Sequence, residues 1–123
     1  MTRPPGRGAR APAATAAFAD AAPVFAALGD ATRMRLVARL CAAGPLPIVR
    51  LTQGSSISRQ AVTKHLRALE SAGVVRSGRA GRERVWELQQ KRLVQARRCL
   101  DKISDRWDEA LLRLRIFVET PPV

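Results

Sequence analysis

Residues 55–74, SSISRQAVTKHLRALESAGV, decide the fold of this chain. Ser55-Ser56-Ile57 predicts a tight turn. Ser58 predicts a helix N-cap, because a short side-chain oxygen can accept one of the backbone N–H groups that a helix start leaves unpaired. Ile57 and Val62 occupy the two positions of a hydrophobic staple. At the far end Gly73 falls just past the helix and Val74 can contact Leu69, the pattern of a Schellman ending. On a helical wheel Val62, Leu66 and Leu69 form a core stripe. Gln60, Thr63, Lys64, Arg67 and Ser71 gather on the opposite side, with Glu70 at the edge. That face carries amide and cationic donors and no carboxylate, which suits a helix lying against base edges in a major groove. The plainer reading is the solvated face of an amphipathic helix.

The flanking sequence decides between them. Pro47 can open a short helix through Ile48 and Leu51 to Gly54. A short helix, a tight turn and the 58–72 helix together make a helix-turn-helix. Val74–Ser77, a Gly78-Arg79-Ala80-Gly81 turn and Arg82–Leu88 read as a β-hairpin. Arg76, Arg79, Arg82 and Arg84 surround its turn, against Glu83 and Glu87. Such a ribbon can reach phosphates or the minor groove beside a helix in the major groove. Residues 55–88 hold seven cations and three acids, so positive charge lies where the motif needs it.

Upstream, Phe18, Ala22, Phe25 and Leu28 recur at helical spacing over Thr15–Leu28, and Pro23 is expected to interrupt them and begin the ordered part. Asp30 caps the next helix, whose stripe is read as Met34, Val37, Leu40 and Cys41 before Gly44-Pro45 stops it. Downstream, Lys91–Val118 carries Leu93, Ala96, Leu100, Ile103, Trp107, Ala110, Leu114 and Phe117 at alternating steps of three and four, a coiled-coil seam. At 1.5 Å per residue this helix runs about 42 Å, longer than so small a domain can cover. Its seam folds back on the chain's own core, meets a second copy, or does both. The expected fold is mostly α, a winged helix-turn-helix with four helices, a two-stranded β wing and a long C-terminal dimerisation helix. The expected organisation is a disordered basic arm at 1–14, the DNA-binding domain at 15–88, the dimerisation helix at 89–118 and a tail at 119–123.

Composition narrows the function. The chain has 123 residues, 46% of them hydrophobic, with 22 Lys+Arg against 10 Asp+Glu for a formal charge of +12. That balance favours a polyanionic partner, nucleic acid before membrane. Residues 1–14 contain three Arg, three Pro, two Gly and no acid, and read as a disordered arm rather than a targeting peptide. No window approaches the ~18 uncharged apolar residues of a membrane span. Two cysteines are too few for a disulfide scaffold, and the single histidine, His65, excludes a site built on a His pair. An enzyme is the weakest option for want of a paired acid and base.

Three stretches carry a family resemblance. LTQGSSISRQAVTKHLRALESAGVV resembles the winged-helix core of the ArsR (arsenical-resistance repressor) family of bacterial transcription regulators. FAALGDATRMRLVARL is similar to that family's opening helices, and GRERVWEL to its wing strand. The match spans Phe25 to Leu88. The tail LDKISDRWDEALLRLRIFVE looks like the end of a non-metal-sensing subgroup. The resemblance implies a cytoplasmic homodimeric repressor on a near-palindromic operator, released by a signal. It places Gln60, Thr63 and Lys64 at base edges, Ser56, Ser58, Arg59 and Arg67 on phosphates, and Arg79, Arg82 and Arg84 in the wing. His65 stands where the family often carries histidine, to touch the backbone or to pack. The dimer interface would use Leu93, Ala96, Leu100, Ile103, Trp107, Leu114 and Phe117.

Metal-sensing members carry Cys-x-Cys at positions that align with Pro47 and Val49, and neither residue can coordinate. The family's other metal site draws on histidine in the last helix, where this chain has none. No metal or cofactor is therefore expected. Some members sense oxidants through a thiol pair, for which Cys41 and Cys99 are the candidates; buried structural cysteines are the default. The expected partners are double-stranded DNA and a second copy of the chain, with no membrane and no assigned inducer. Two rival readings are a basic RNA-binding protein and a protein–protein adaptor on the same fold.

Overall fold

The computed structural model describes residues 12–121. Its elements follow the order α1 (Pro12–Leu28), α2 (Ala31–Ala43), β1 (Leu46–Pro47), α3 (Ile48–Leu51), α4 (Arg59–Ser71), β2 (Val75–Ala80), β3 (Glu83–Leu88) and α5 (Gln90–Glu119). Most of the basic arm expected at 1–14 lies outside the described residues. Its last three positions, 12–14, are the first turn of α1.

Helix α4 has the ends that its sequence announces. The Ser58 side chain accepts from the Ala61 N–H at 3.1 Å. At the other end Gly73 takes φ 78°, its N–H donates to Glu70 O at 2.9 Å, and the Val74 N–H donates to Leu69 O at 2.9 Å. Those two bonds are the paired closures of a Schellman motif. Val62, Leu66 and Leu69 are buried and join Val24, Leu36, Leu40, Leu51, Val74, Val75 and Trp86 in one core between the helices and the sheet.

Five expectations need correction. Pro23 does not start α1; it sits inside one continuous helix. Proline removes a single backbone donor there, its ring is exposed, and the alanine-rich neighbours favour helix. The buried stripe of α1 is Ala21, Val24 and Ala27, while Ala22 is exposed and Phe25 and Leu28 are half-buried. Small residues bring α1 close to α5, whose buried positions, Ala96 and Cys99, are small as well. In α2 the buried residues are Leu36 and Leu40, with Met34 and Cys41 exposed, because the branched i, i+4 leucines face α4 and the sheet.

The sheet has three strands, in the order β1-β3-β2, where a two-stranded hairpin was expected. Leu46 pairs with Trp86 and Pro47 with Val85, and proline is tolerated because β1 is an edge. The hairpin is also longer and its turn tighter than its sequence implied. Ala80 pairs with Glu83, leaving Gly81-Arg82 as a two-residue turn with Gly81 at φ 66°. A glycine with positive φ at the first turn position is the requirement of a type II′ hairpin.

Candidate nucleic-acid interface

Arg59, Gln60, Thr63, Lys64 and Arg67 line one shallow groove of about 430 Å³ along the outer face of α4. Gln60 and Lys64 are exposed. Thr63 is half-buried, and its hydroxyl donates to Arg59 O at 2.9 Å, which leaves its methyl group and an oxygen lone pair to face a ligand. Ser58 uses its oxygen as the helix cap and keeps a hydroxyl hydrogen to donate. Ser56 is exposed in the turn.

The turn itself is held by a residue that the sequence did not single out. Arg39 on α2 donates from one nitrogen to Leu51 O at 3.0 Å and to Gln53 O at 2.9 Å, tying the turn's entry to the helix behind it. Thr32, Arg35, Ser55 and Ser56 border a neighbouring cleft of about 280 Å³. Arg35 thereby joins the basic surface beside the N-terminus of α4. No sequence spacing links α2 to this turn, so only the fold could bring them together.

His65 points the other way, into a small network at the start of α2. Its Nδ1 accepts from Arg33 Nε at 3.3 Å and lies 3.9 Å from Asp30 Oδ1. Asp30 accepts from the Arg33 N–H at 3.0 Å. That backbone bond above all, helped by the nearby His65 and Arg33, holds the Asp30 carboxyl below its usual value against the opposing effect of desolvation.

In the wing, Arg79 and Arg84 are direct cross-strand partners and Arg82 stands in the turn. Arg76 pairs with Glu87 at 2.6 Å and so is neutralised. Among the described residues, no carboxylate pairs with Arg59, Lys64, Arg79, Arg82 or Arg84. Like charges facing each other across strands oppose pairing, so Arg79 and Arg84 would gain from an anion between them. Arg67 differs. It donates to Glu70 Oε1 at 2.9 Å, and its guanidinium carbon lies over the Trp86 ring, 5.2 Å from the centre.

The seam of α5 divides in two. Ala96 is buried and Leu93 packs on the core, so these two serve the chain's own fold. Leu100, Ile103, Trp107, Leu114 and Phe117 are exposed, Trp107 at 63% and Phe117 at 81%. Cys41 is exposed and Cys99 buried, and both thiols are free. Pro47 lies in β1 and Val49 in α3. Among the described residues no helix is long and apolar enough to cross a membrane.

Comparison with known proteins converges on this geometry. A helix-turn-helix domain family matches residues 28–78. The HTH-type transcriptional regulator Rv2034 of Mycobacterium tuberculosis is 40% identical over 85 residues, 69% of this chain and 76% of its own. An ArsR-like transcriptional regulator from Rhodococcus sp. RHA1 superposes with a TM-score of 0.70 at 35% identity, covering 85% of this chain and 97% of that one. The chain belongs to the ArsR family of winged helix-turn-helix transcriptional regulators. The homodimeric winged helix-turn-helix DNA-binding domain of Mb0332 of Mycobacterium bovis, described as a possible ArsR-family transcriptional regulator, shares the fold with a TM-score of 0.55 at 16% identity, over 100% of this chain and 98% of that one. In ArsR terms α4 is the recognition helix and β2–β3 the wing.

Proposed function

We propose that this ArsR-family regulator is a homodimeric, cytoplasmic repressor that occludes a promoter by binding a near-palindromic operator. The observation that carries the reading is a set of cations without carboxylate partners, Arg59 and Lys64 on α4 and Arg79, Arg82 and Arg84 on the wing. Gln60, Thr63 and Lys64 read base edges. Ser56, Ser58 and Arg59 hold the phosphates at the helix start, and the wing arginines hold those beside it. The exposed apolar face of α5 takes the second copy, which sets two recognition helices about one DNA turn, ~34 Å, apart. A metal signal of the Cys-x-Cys type has no site here, since neither Pro47 nor Val49 offers a thiolate or imidazole. If a thiol supplies it, exposed Cys41 is the residue that an oxidant reaches first.

The test is binding of the purified protein to the DNA just upstream of its own gene beside a scrambled duplex. Two salt concentrations are used, with reduced and oxidised protein. A protected, roughly palindromic site bound far more tightly than the scramble is the expected result. Equal, salt-sensitive binding to both duplexes would overturn the sequence-reading role of α4. No binding at low salt would leave the protein–protein adaptor in its place.

A further inference from the structure

The wing is tied to the recognition helix by side chains as well as by the chain between them. Arg67, on α4, donates to Glu70 Oε1 at 2.9 Å and lies over the ring of Trp86, 5.2 Å from its centre. Ser77, on β2, donates to the other Glu70 oxygen at 3.4 Å. Ser77 and Trp86 are cross-strand partners, so both strands of the wing are engaged at one level. Trp86 is only 3% exposed and its other neighbour in the sheet is Leu46 of β1, which makes it a fixed platform.

Strand geometry gives this contact a consequence for the wing tip. Side chains alternate between faces, so Ser77 and Arg79 share a face of β2, and Trp86 and Arg84 share the same face of β3. The two unpaired arginines are therefore the next residues outward from the bracket, on the side that faces α4. Their mutual repulsion works to splay the strands. The bracket opposes that from the adjacent level.

We infer that Arg67, with Glu70, is a positioning residue that sets where Arg79 and Arg84 stand relative to the recognition face. It does not itself neutralise a phosphate. This rests on the DNA-binding reading and deepens it. One guanidinium nitrogen is engaged by Glu70 and the guanidinium carbon lies over the Trp86 ring, and the Glu70 charge repels a phosphate approaching the same place. The arrangement calls for arginine, since a lysine ammonium supplies the charge without the forked guanidinium that engages Glu70 and the Trp86 ring together.

The experiment uses the full chain with a mixed-sequence DNA duplex of two helical turns, across a series of salt concentrations. Arg67→Lys and Arg67→Ala should weaken binding alike, about three- to tenfold, with the slope of log affinity against log salt unchanged from wild type. Glu70→Gln should weaken it as well, although it removes a negative charge beside the DNA. In the free protein, all three variants should shift the Trp86 indole resonance, identified by its loss in Trp86→Phe, and speed amide exchange at Arg79 and Arg84. If Arg67→Lys binds like wild type while Arg67→Ala lowers the salt slope by about one, Arg67 is a phosphate contact and the inference falls. Tighter binding by Glu70→Gln overturns it too. Should Arg67→Ala fail to fold, Arg67→Lys and Glu70→Gln carry the same comparison. Unchanged wing exchange in the variants, with wild-type binding intact, overturns the bracket alone. A wild-type protein that binds no duplex even at low salt overturns the regulator reading and, with it, the role assigned to Arg67.

Discussion

Ser58 and Gly73 bound the recognition helix by opposite means, a side-chain cap and a left-handed backbone. Replacing Ser58 by Ala leaves the Ala61 N–H without its partner and should cost about 1 kcal/mol, read as a fall in denaturation midpoint with unchanged slope. Gly73→Ala should cost about 1–2 kcal/mol from its φ of 78° alone. It should also force Arg92 to move, since an added Cβ would lie 2.6 Å from its Cγ. A Gly73→Ala protein as stable as wild type would show that Val74 does not need the Schellman closure to reach the core. Both residues were legible in the sequence because caps are local: the groups they satisfy lie within a few residues. Glu70 was not. It read as an acid at the edge of the recognition face, and its bonds to Arg67 and to Ser77 of the wing depend on how β2 packs on α4.

On the proposed reading, individual elements divide the work of recognition, and their variants should separate by readout. Gln60→Ala on α4 should relax sequence choice at one base pair, by about 1–3 kcal/mol, in a competition against single-substituted operators. Arg82→Ala at the wing turn should weaken all duplexes alike and lower the salt slope by about one. Equal weakening of operator and random DNA by Gln60→Ala would remove it from base reading.

The start of α2 behaves as an acid-sensitive cap. Asp30 has a lowered pKa in the fold, so its share of stability is present above the usual value of 3.8 and is lost as pH falls through the lower folded value. Asp30→Asn should flatten that acid limb of a pH–stability profile; an unchanged limb would place the loss on other carboxylates. Helical spacing found every helix but misjudged which side was buried in α1 and α2. The wheel weighs Phe18, Met34 and Cys41 as apolar, whereas close packing selected Ala21, Ala27 and Leu36, beside the expected Leu40, for their fit against α5, α4 and the sheet. β1 escaped notice because two residues have no period to detect.

Across the molecule, the unpaired cations of the candidate interface and the largest run of exposed apolar residues lie on different elements. The cations occupy α4 and the wing, and the large exposed apolar residues of α5 extend from Val94 to Val118. Trp107→Glu or Phe117→Glu should shift the protein from dimer to monomer in sedimentation and weaken operator binding. Its helical circular dichroism should fall little, because neither side chain belongs to the chain's own core. A dimer that persists in both variants would move the interface off this seam.

The sequence by itself determined the recognition helix with its two caps, the cationic wing, the long final helix and the family. All of these are written in short-range spacing, in turn chemistry or in a continuous motif. Tertiary structure alone decided that Leu93 and Ala96 belong to the chain's own core while Leu100 to Phe117 stay outside it. It also decided that Arg39 would hold the turn and that the Arg67 guanidinium would lie over Trp86. The reason is physical: a helix face or a guanidinium has many equivalent partners in an extended chain, and packing of distant segments selects one of them.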